Sequence, residues 1–201
     1  MNINNYIARQ FGKPTDFGGK LVSAVMNRQN LPLYEETARM LAPRATDNVL
    51  DIGCGNGYVL EMLAERYGCH CAGVDISRSI LRAAEKRNRR FVSSGRMRFE
   101  RCEAGATPFG DASFDRAYTI NTVYFWDDLS GTMAEIRRIL KPGGIFINTL
   151  YTNETLARFS HTQYGYRRYT RDELLGASRA AGFSAEIIPI MGGAAYCVVC
   201  R

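Results

Sequence analysis

Val49-Leu50-Asp51-Ile52-Gly53-Cys54-Gly55-Asn56-Gly57-Tyr58 is the stretch whose reading decides the fold. Val49–Ile52 is apolar and β-forming apart from Asp51 and ends in glycine, as a buried strand does. Gly53, Gly55 and Gly57 then stand at alternate positions, and a helical pattern follows from about Gly57 to Tyr67. Glycines so placed permit a tight turn, close approach of the backbone to a ligand, and close packing of the next helix. A strand-to-helix turn needs glycine in any case, so the loop alone is weak evidence. It gains weight from Asp75, which ends the next strand-like run, Cys71–Asp75, 18 residues beyond Gly57. An acid in that place can accept both hydroxyls of a ribose. The plainer alternative is that Asp75 merely caps the helix after it.

The loop also discriminates between nucleotides. Dinucleotide sites use G-x-G-x-x-G, which seats a pyrophosphate on a helix N-terminus. Here the spacing is G-x-G-x-G, with Asp51 just inside the strand end. A carboxylate there sits poorly beside phosphates and suits a cationic amino or sulfonium group. The chemistry favours S-adenosylmethionine over a nicotinamide cofactor.

Outward from the loop, strands and helices alternate. The helix Arg78–Arg90 buries Ile80, Leu81, Ala83 and Ala84; Met97–Cys102 and Phe114–Ile120 are strands; Thr132–Leu140 is helical. Lys141-Pro142-Gly143-Gly144 then turns the chain into the strand Ile145–Leu150. Thr170 followed by Glu173 has capping-box spacing, so a helix begins there and ends near Gly182. Gly192-Gly193 separates two closing strands, about Phe183–Ile190 and Ala194–Val199, as a hairpin. The alternation predicts a mostly parallel sheet covered on both faces, binding its ligand where strand order reverses. Neither repeat nor linker divides residues 1–201, which read as a single domain: a helical or lid segment over 1–45 and a core over 46–201.

Composition narrows the class. With 46% hydrophobic and 23% charged residues, 201 residues can build a core without staples. The first residues lack a signal-peptide layout and nothing resembles a membrane span, so a cytoplasmic location is expected. Cys54, Cys69, Cys71, Cys102, Cys197 and Cys200 sit mostly beside apolar runs and read as reduced core residues. Cys197 and Cys200, three apart on a strand, point to opposite faces and cannot share a metal. Of the formal charge of +6, the segment Arg78–Arg101 carries +7, with nine Lys or Arg against Glu85 and Glu100. A solvated helix face, or a footprint for RNA or an anionic surface, would produce such a stripe.

Taken together, these motifs resemble class I S-adenosylmethionine-dependent methyltransferases over about Asp47 to Ile190. VLDIGCGNG is similar to the family's first motif and GVDIS to its second; CEAGATPFGDASFD (Cys102–Asp115) resembles the segment leading into strand four. EIRRILKPGG (Glu135–Gly144) and YTRDELLGASRAAGF (Tyr169–Phe183) resemble later segments. The resemblance implies a Rossmann-like, doubly wound seven-stranded sheet with an antiparallel C-terminal hairpin. It implies that Asp51, Gly53, Cys54 and Gly55 line the methionine moiety, and that Asp75 binds the ribose. Ile76, Glu103 and Ala104 would surround the adenine, with Asn121 beside the transferring methyl. The family often has Gly-Asp-Ala where this chain has Cys102-Glu103-Ala104, so the adenine contact would use a longer acid.

Methyl transfer from a sulfonium needs alignment of the nucleophile and exclusion of water more than it needs a base. No triad is expected and no metal. Asn121-Thr122-Val123-Tyr124-Phe125-Trp126 follows strand four, replacing the paired His often seen in the family at positions 124 and 125. Tyr124 and Trp126 would form an aromatic wall for the acceptor, the Tyr124 hydroxyl orienting it, while core packing under the sheet is the alternative for Phe125 and Trp126. Tyr6 to Gly19 reads as a lid, and Tyr151–Tyr169 as a substrate-loop insertion contributing Tyr164 and, as the one available neutral-pH base, His161. Tyr34 is a further pocket residue. These features predict a methyltransferase with a small-molecule acceptor. The alternatives are an RNA or protein methyltransferase using residues 78–101, or a non-catalytic S-adenosylmethionine-binding protein; a nicotinamide oxidoreductase ranks last.

Overall fold

The computed structural model describes residues 19–163 and 165–201. Seven strands form one sheet: β1 (Asn48–Ile52), β2 (His70–Asp75), β3 (Met97–Arg101), β4 (Phe114–Ile120), β5 (Leu140–Tyr151), β6 (Ala185–Ile190) and β7 (Ala195–Cys200). Their spatial order is β3-β2-β1-β4-β5-β7-β6. The first five run parallel, while β7 pairs antiparallel with both β5 and β6. This is the doubly wound, Rossmann-like sheet with a C-terminal antiparallel hairpin that the sequence implied. Strand order reverses between β1 and β4, so their carboxyl ends flank the crevice where such sheets bind ligands.

Alternation along each strand divides the core. Leu50 and Ile52 of β1 face the side covered by α5 (Leu129–Ile139) and α7 (Arg171–Ala180). Val49 faces the other side, covered by α1 (Gly19–Leu41), α2 (Tyr58–Tyr67), α3 (Arg78–Arg87) and α4 (Arg89–Ser93). Asp51 lies on that second side by the same period of two. At the opposite end of the strands, Arg116 of β4 pairs with Asp47 at 2.7 Å, and the Asp115 carboxylate accepts from the Asn48 N–H at 2.9 Å and from Lys141.

Several boundaries differ from the sequence reading for local reasons. Helix α5 begins at Leu129 rather than Thr132, because the Asp128 side chain accepts from the Gly131 N–H at 2.9 Å and caps it. Strand β5 begins at Leu140, which pairs with Phe114 before an irregularity that restarts the register at Arg116 and Ile145. The expected single helix over 78–90 breaks at Asn88, whose buried Nδ2 donates to the carbonyls of Ala84 and Gly57. The insertion 151–169 contains a short helix, α6 (Asn153–Ala157), capped by Thr152, and a 3₁₀ turn over Ser160–Gln163. Cys69 and Cys71 share a face with sulfurs 3.7 Å apart, Cys197 and Cys200 lie on opposite faces, and all six cysteines are free thiols. No described helix is long and apolar enough to cross a membrane.

The Thr170 capping box forms in full: Glu173 N–H donates to Thr170 Oγ1, and the Glu173 carboxylate accepts from the Thr170 N–H at 2.7 Å. Thr170→Ala is expected to lower stability by about 1 kcal/mol. Urea unfolding that left the midpoint unchanged would show the cap to be dispensable.

Candidate active site

The crevice between β1 and β4 is built from the glycine loop. Gly53 and Cys54 donate their N–H groups to the Val74 carbonyl at 2.8 and 3.0 Å, which locks the loop to the end of β2. Gly53, Gly55 and Gly57 all have φ between +50° and +78°, a region that penalises any side chain. The neighbours of the three glycines differ. A Cβ on Gly53 would collide with Thr122, and one on Gly57 would lie 2.6 Å from Asn88 Nδ2. A Cβ on Gly55 would meet nothing within 4 Å, so the loop is open there.

Asp75 is hydrogen-bonded through both of its carboxylate oxygens. Oδ2 accepts from the Gly55 N–H at 3.2 Å, and Oδ1 accepts from the Ser77 N–H at 2.9 Å. The carboxylate thus holds the loop and turns the chain into α3, while Ser77 itself is the N-cap. Each oxygen retains lone-pair capacity for a further donor. Burial raises the Asp75 pKa, opposed by those backbone N–H groups. The next residue, Ile76, is among the few large apolar side chains left exposed among the described residues, at 37%.

Asp51 is buried, at 4% exposure. Its register neighbours are Tyr118 on β4 and Gly73 on β2. The Tyr118 hydroxyl donates to Asp51 Oδ2 at 2.8 Å. Burial pushes the Asp51 carboxyl up to about 8; the Tyr118 bond lowers it and the nearby Asp75 charge raises it. The loop therefore presents an acid that a cation would ionise. Cys54, also expected at the site, is buried, and burial raises its thiol pKa.

At the carboxyl ends of β4 and β5 the structure closes a ring of hydrogen bonds. Asn121 takes a left-handed conformation, φ 57°. Its Oδ1 accepts from the Tyr124 hydroxyl at 3.2 Å, and its Nδ2 donates to Asn30 Oδ1 on α1 at 3.4 Å. Tyr151, the last residue of β5, donates its hydroxyl to the same Asn30 oxygen at 3.0 Å and its N–H to the Tyr124 hydroxyl at 3.0 Å. Asn30 and Tyr151 as site residues were missed in the sequence. Asn30 belongs to a helix with no motif, and the Tyr151 signal was only its place at a strand end. Tyr118 was missed too, because parallel register alone sets it beside Asp51.

Two expected pocket residues sit differently from the sequence reading. Tyr124 and Trp126 are in the hydrophobic core, 2% and 6% exposed, and the Tyr124 hydroxyl is committed to the ring. Neither forms an exposed acceptor wall, because the 3₁₀ turn Val123–Phe125 folds the segment inward beneath Tyr166 and Tyr169. Tyr34 is buried on α1 against Tyr58, ring centroids 5.8 Å apart, and burial pushes its phenol up to about 12. Glu103 is exposed, and Ala104 is half-buried against the core. The backbone of His161 lies in the 3₁₀ turn over Ser160–Gln163. Its side chain lies outside the described part of the structure, as do Tyr6, Tyr164 and all but Gly19 of the lid expected over Tyr6 to Gly19. Among the described residues no three His, Cys, Asp or Glu gather as metal ligands would.

Residues 50–148 match a family model described as a methyltransferase domain. An O-methyltransferase of Penicillium expansum is 31% identical over 158 residues, which cover 75% of this chain and 57% of that protein. The chain spans about half the length of the curated relatives it matches. Among solved structures, a chain from a complex containing the Haloferax volcanii Trm112 methyltransferase activator superposes with a TM-score of 0.82 at 20% identity, over 98% of this chain and 97% of its own. A geranyl diphosphate methyltransferase in complex with S-adenosylmethionine does so with a TM-score of 0.76 at 18% identity, over 95% and 93%. Residues 50–148 thus carry a methyltransferase domain by the family match, and the sheet order and the glycine loop are those of the class I S-adenosylmethionine-dependent methyltransferase fold.

The Asp51 carboxyl makes stability depend on pH. Its pKa is about 8 in the folded chain, against an ordinary 3.8. The folded state thus holds a proton that the unfolded state releases, so this contribution is fully present below about pH 4 and is lost as pH rises through about 8. Asp51→Asn is expected to flatten the fall in stability between pH 5 and 9. A profile as steep as the parent's, read by urea unfolding, would assign the slope to other groups.

Proposed function

We propose that this chain is an S-adenosylmethionine-dependent methyltransferase acting on a small-molecule acceptor. The observation that carries the reading is the buried Asp51 carboxyl at the strand-order switch, next to the open Gly55 and the Asp75 carboxylate. That constellation fits a ligand with a cationic amino group at one end and a ribose at the other. In this reading Asp51 receives the amino group, with Gly53, Cys54 and Gly55 along the methionine chain. Asp75 accepts from the ribose hydroxyls through its spare lone pairs, Ile76 covers one face of the adenine, and Glu103 and Ala104 border its edge. When bound, S-adenosylmethionine supplies a methyl already activated by the sulfonium sulfur.

The chain's own part is to align the acceptor and exclude water. Asn121, held by Asn30 and Tyr124, stands at the end of β4 facing that space. Burial raises the phenols of Tyr34, Tyr124 and Tyr151, so all three stay protonated near neutral pH and serve as hydrogen-bond partners rather than bases. His161 remains the proposed base where an acceptor must lose a proton. The roof that α1 places over the strand ends, through Asn30, favours a small acceptor over a polymer. The relatives' names support the same class, O-methyltransferases and a sterol C-methyltransferase among them. They leave the methylated atom open.

Two measurements test the donor site. Asp75→Ala is expected to weaken S-adenosylhomocysteine binding at least about tenfold, roughly 1.4 kcal/mol. Unchanged affinity by calorimetry would remove Asp75 from the site. Binding to the parent at pH 7 is expected to release protons, read from calorimetry in buffers of different ionisation enthalpy, because a cation beside Asp51 lowers its raised pKa. Asp51→Asn should abolish that release; persistence would place the cation elsewhere.

A further inference from the structure

We propose that the outer face of α3 and the start of α4 bind the phosphodiester backbone of a single nucleic-acid strand, independently of the donor site. The nine cations between Arg78 and Arg101 divide into two groups. Five are used within the fold. Arg87 pairs with Glu61 and Arg90 with Glu65, both on α2. Arg96 donates to the Gly68 carbonyl at 2.7 Å, Arg101 donates to the Ile76 carbonyl at 3.0 Å, and Arg98 lies over the Phe109 ring. The other four, Arg78, Arg82, Lys86 and Arg89, are exposed, and none is among the ion pairs formed by the described residues.

Their placement runs against the stability of the helix that carries them. Arg78, Arg82 and Lys86 recur at intervals of four, so they line one face at steps of about 6 Å along the axis. Like charges at that interval repel and destabilise a helix. Arg78 also stands in the first turn, where the helix dipole favours anions, and no acidic residue is present there. Glu85 is the one acid in α3 and forms no ion pair among the described residues. Local rules broken without compensation among the described residues point to an external counter-charge. A linear run of cations, three of them guanidiniums able to bind phosphate through paired donors, suits a linear run of phosphates.

A membrane surface suits it less. Interfacial helices need an apolar face to insert, and Ile80, Leu81 and Ala84 of α3 are buried against the protein. The surface is also distinct from the proposed acceptor site. Helix α3 packs against β2 and β3, on the far side of β1 from β4. It would hold a strand without presenting it to the methyl, which makes it a recruitment surface.

The test is fluorescence anisotropy with a labelled single-stranded RNA of mixed sequence, repeated with single-stranded DNA, poly-glutamate and anionic phosphatidylserine vesicles. Binding of RNA or DNA is expected, with a log–log salt slope near −3 for about four phosphate contacts. The two nucleic-acid arms decide which strand is preferred. The triple variant R78E/R82E/K86E is expected to weaken binding by roughly tenfold or more and to flatten the slope. Its Tm should stay close to the parent's, since an acid in the first turn suits the helix dipole while the like-charge spacing along the face is kept. An unchanged Tm with unchanged RNA binding would overturn the proposal, as would binding of poly-glutamate or vesicles as tight as that of either strand. Measuring S-adenosylhomocysteine binding on the same samples separates the two readings: it can fail while RNA binding persists, and the reverse.

Discussion

Burying the Asp51 carboxyl at the carboxyl end of β1 is the constraint on which the rest of the crevice depends. An acid taken out of water is costly unless it is protonated, hydrogen-bonded or matched by a cation. The fold supplies one hydroxyl, from Tyr118, and a second acid nearby, Asp75. That combination leaves the group protonated around neutral pH and ready to ionise when a cation arrives. Parallel pairing with β4 makes it possible, because it sets Asp51 beside Tyr118, while Gly73 on the other flank leaves room for Cys54 and Leu60.

The loop above Asp51 is held from three directions. Val74 accepts two of its N–H groups, Asp75 accepts a third, and Asn88 reaches back from the end of α3 to the Gly57 carbonyl. Thr122 packs under Gly53 and Asn88 under Gly57, so glycine is required there by close approach as well as by backbone conformation. At Gly55 the requirement is conformational alone, and the space beside it stays open. A loop fixed on three sides with one open face is preorganised for a ligand, and little ordering remains to be done on binding.

Across the crevice the arrangement is polar but not basic. Asn30, Asn121, Tyr124 and Tyr151 satisfy one another in a closed ring that ties α1 to the ends of β4 and β5. Such a network fixes orientation when each member is satisfied. Phenols raised by burial cannot accept a proton at neutral pH, so this part of the site contributes alignment. A reaction whose donor is already activated asks for that.

Much of this was legible in the chain itself. The glycine spacing, the acid inside the strand and the acid ending the next one depend on local geometry, which residue type determines. The same holds for the capping box at Thr170 and for the alternation of strands and helices, and hence for the sheet. The sequence also located the charge stripe, since charge is a property of composition. Tertiary structure alone decided which of those cations were spent inside the fold and which form no ion pair among the described residues. It put Tyr118 beside Asp51, brought Asn30 over Asn121 and Tyr151, and turned Tyr124 and Trp126 into the core. Each is a contact between segments far apart in the chain. Residue 30 meets residue 151 only because a helix packs across strand ends, and no local propensity encodes that distance.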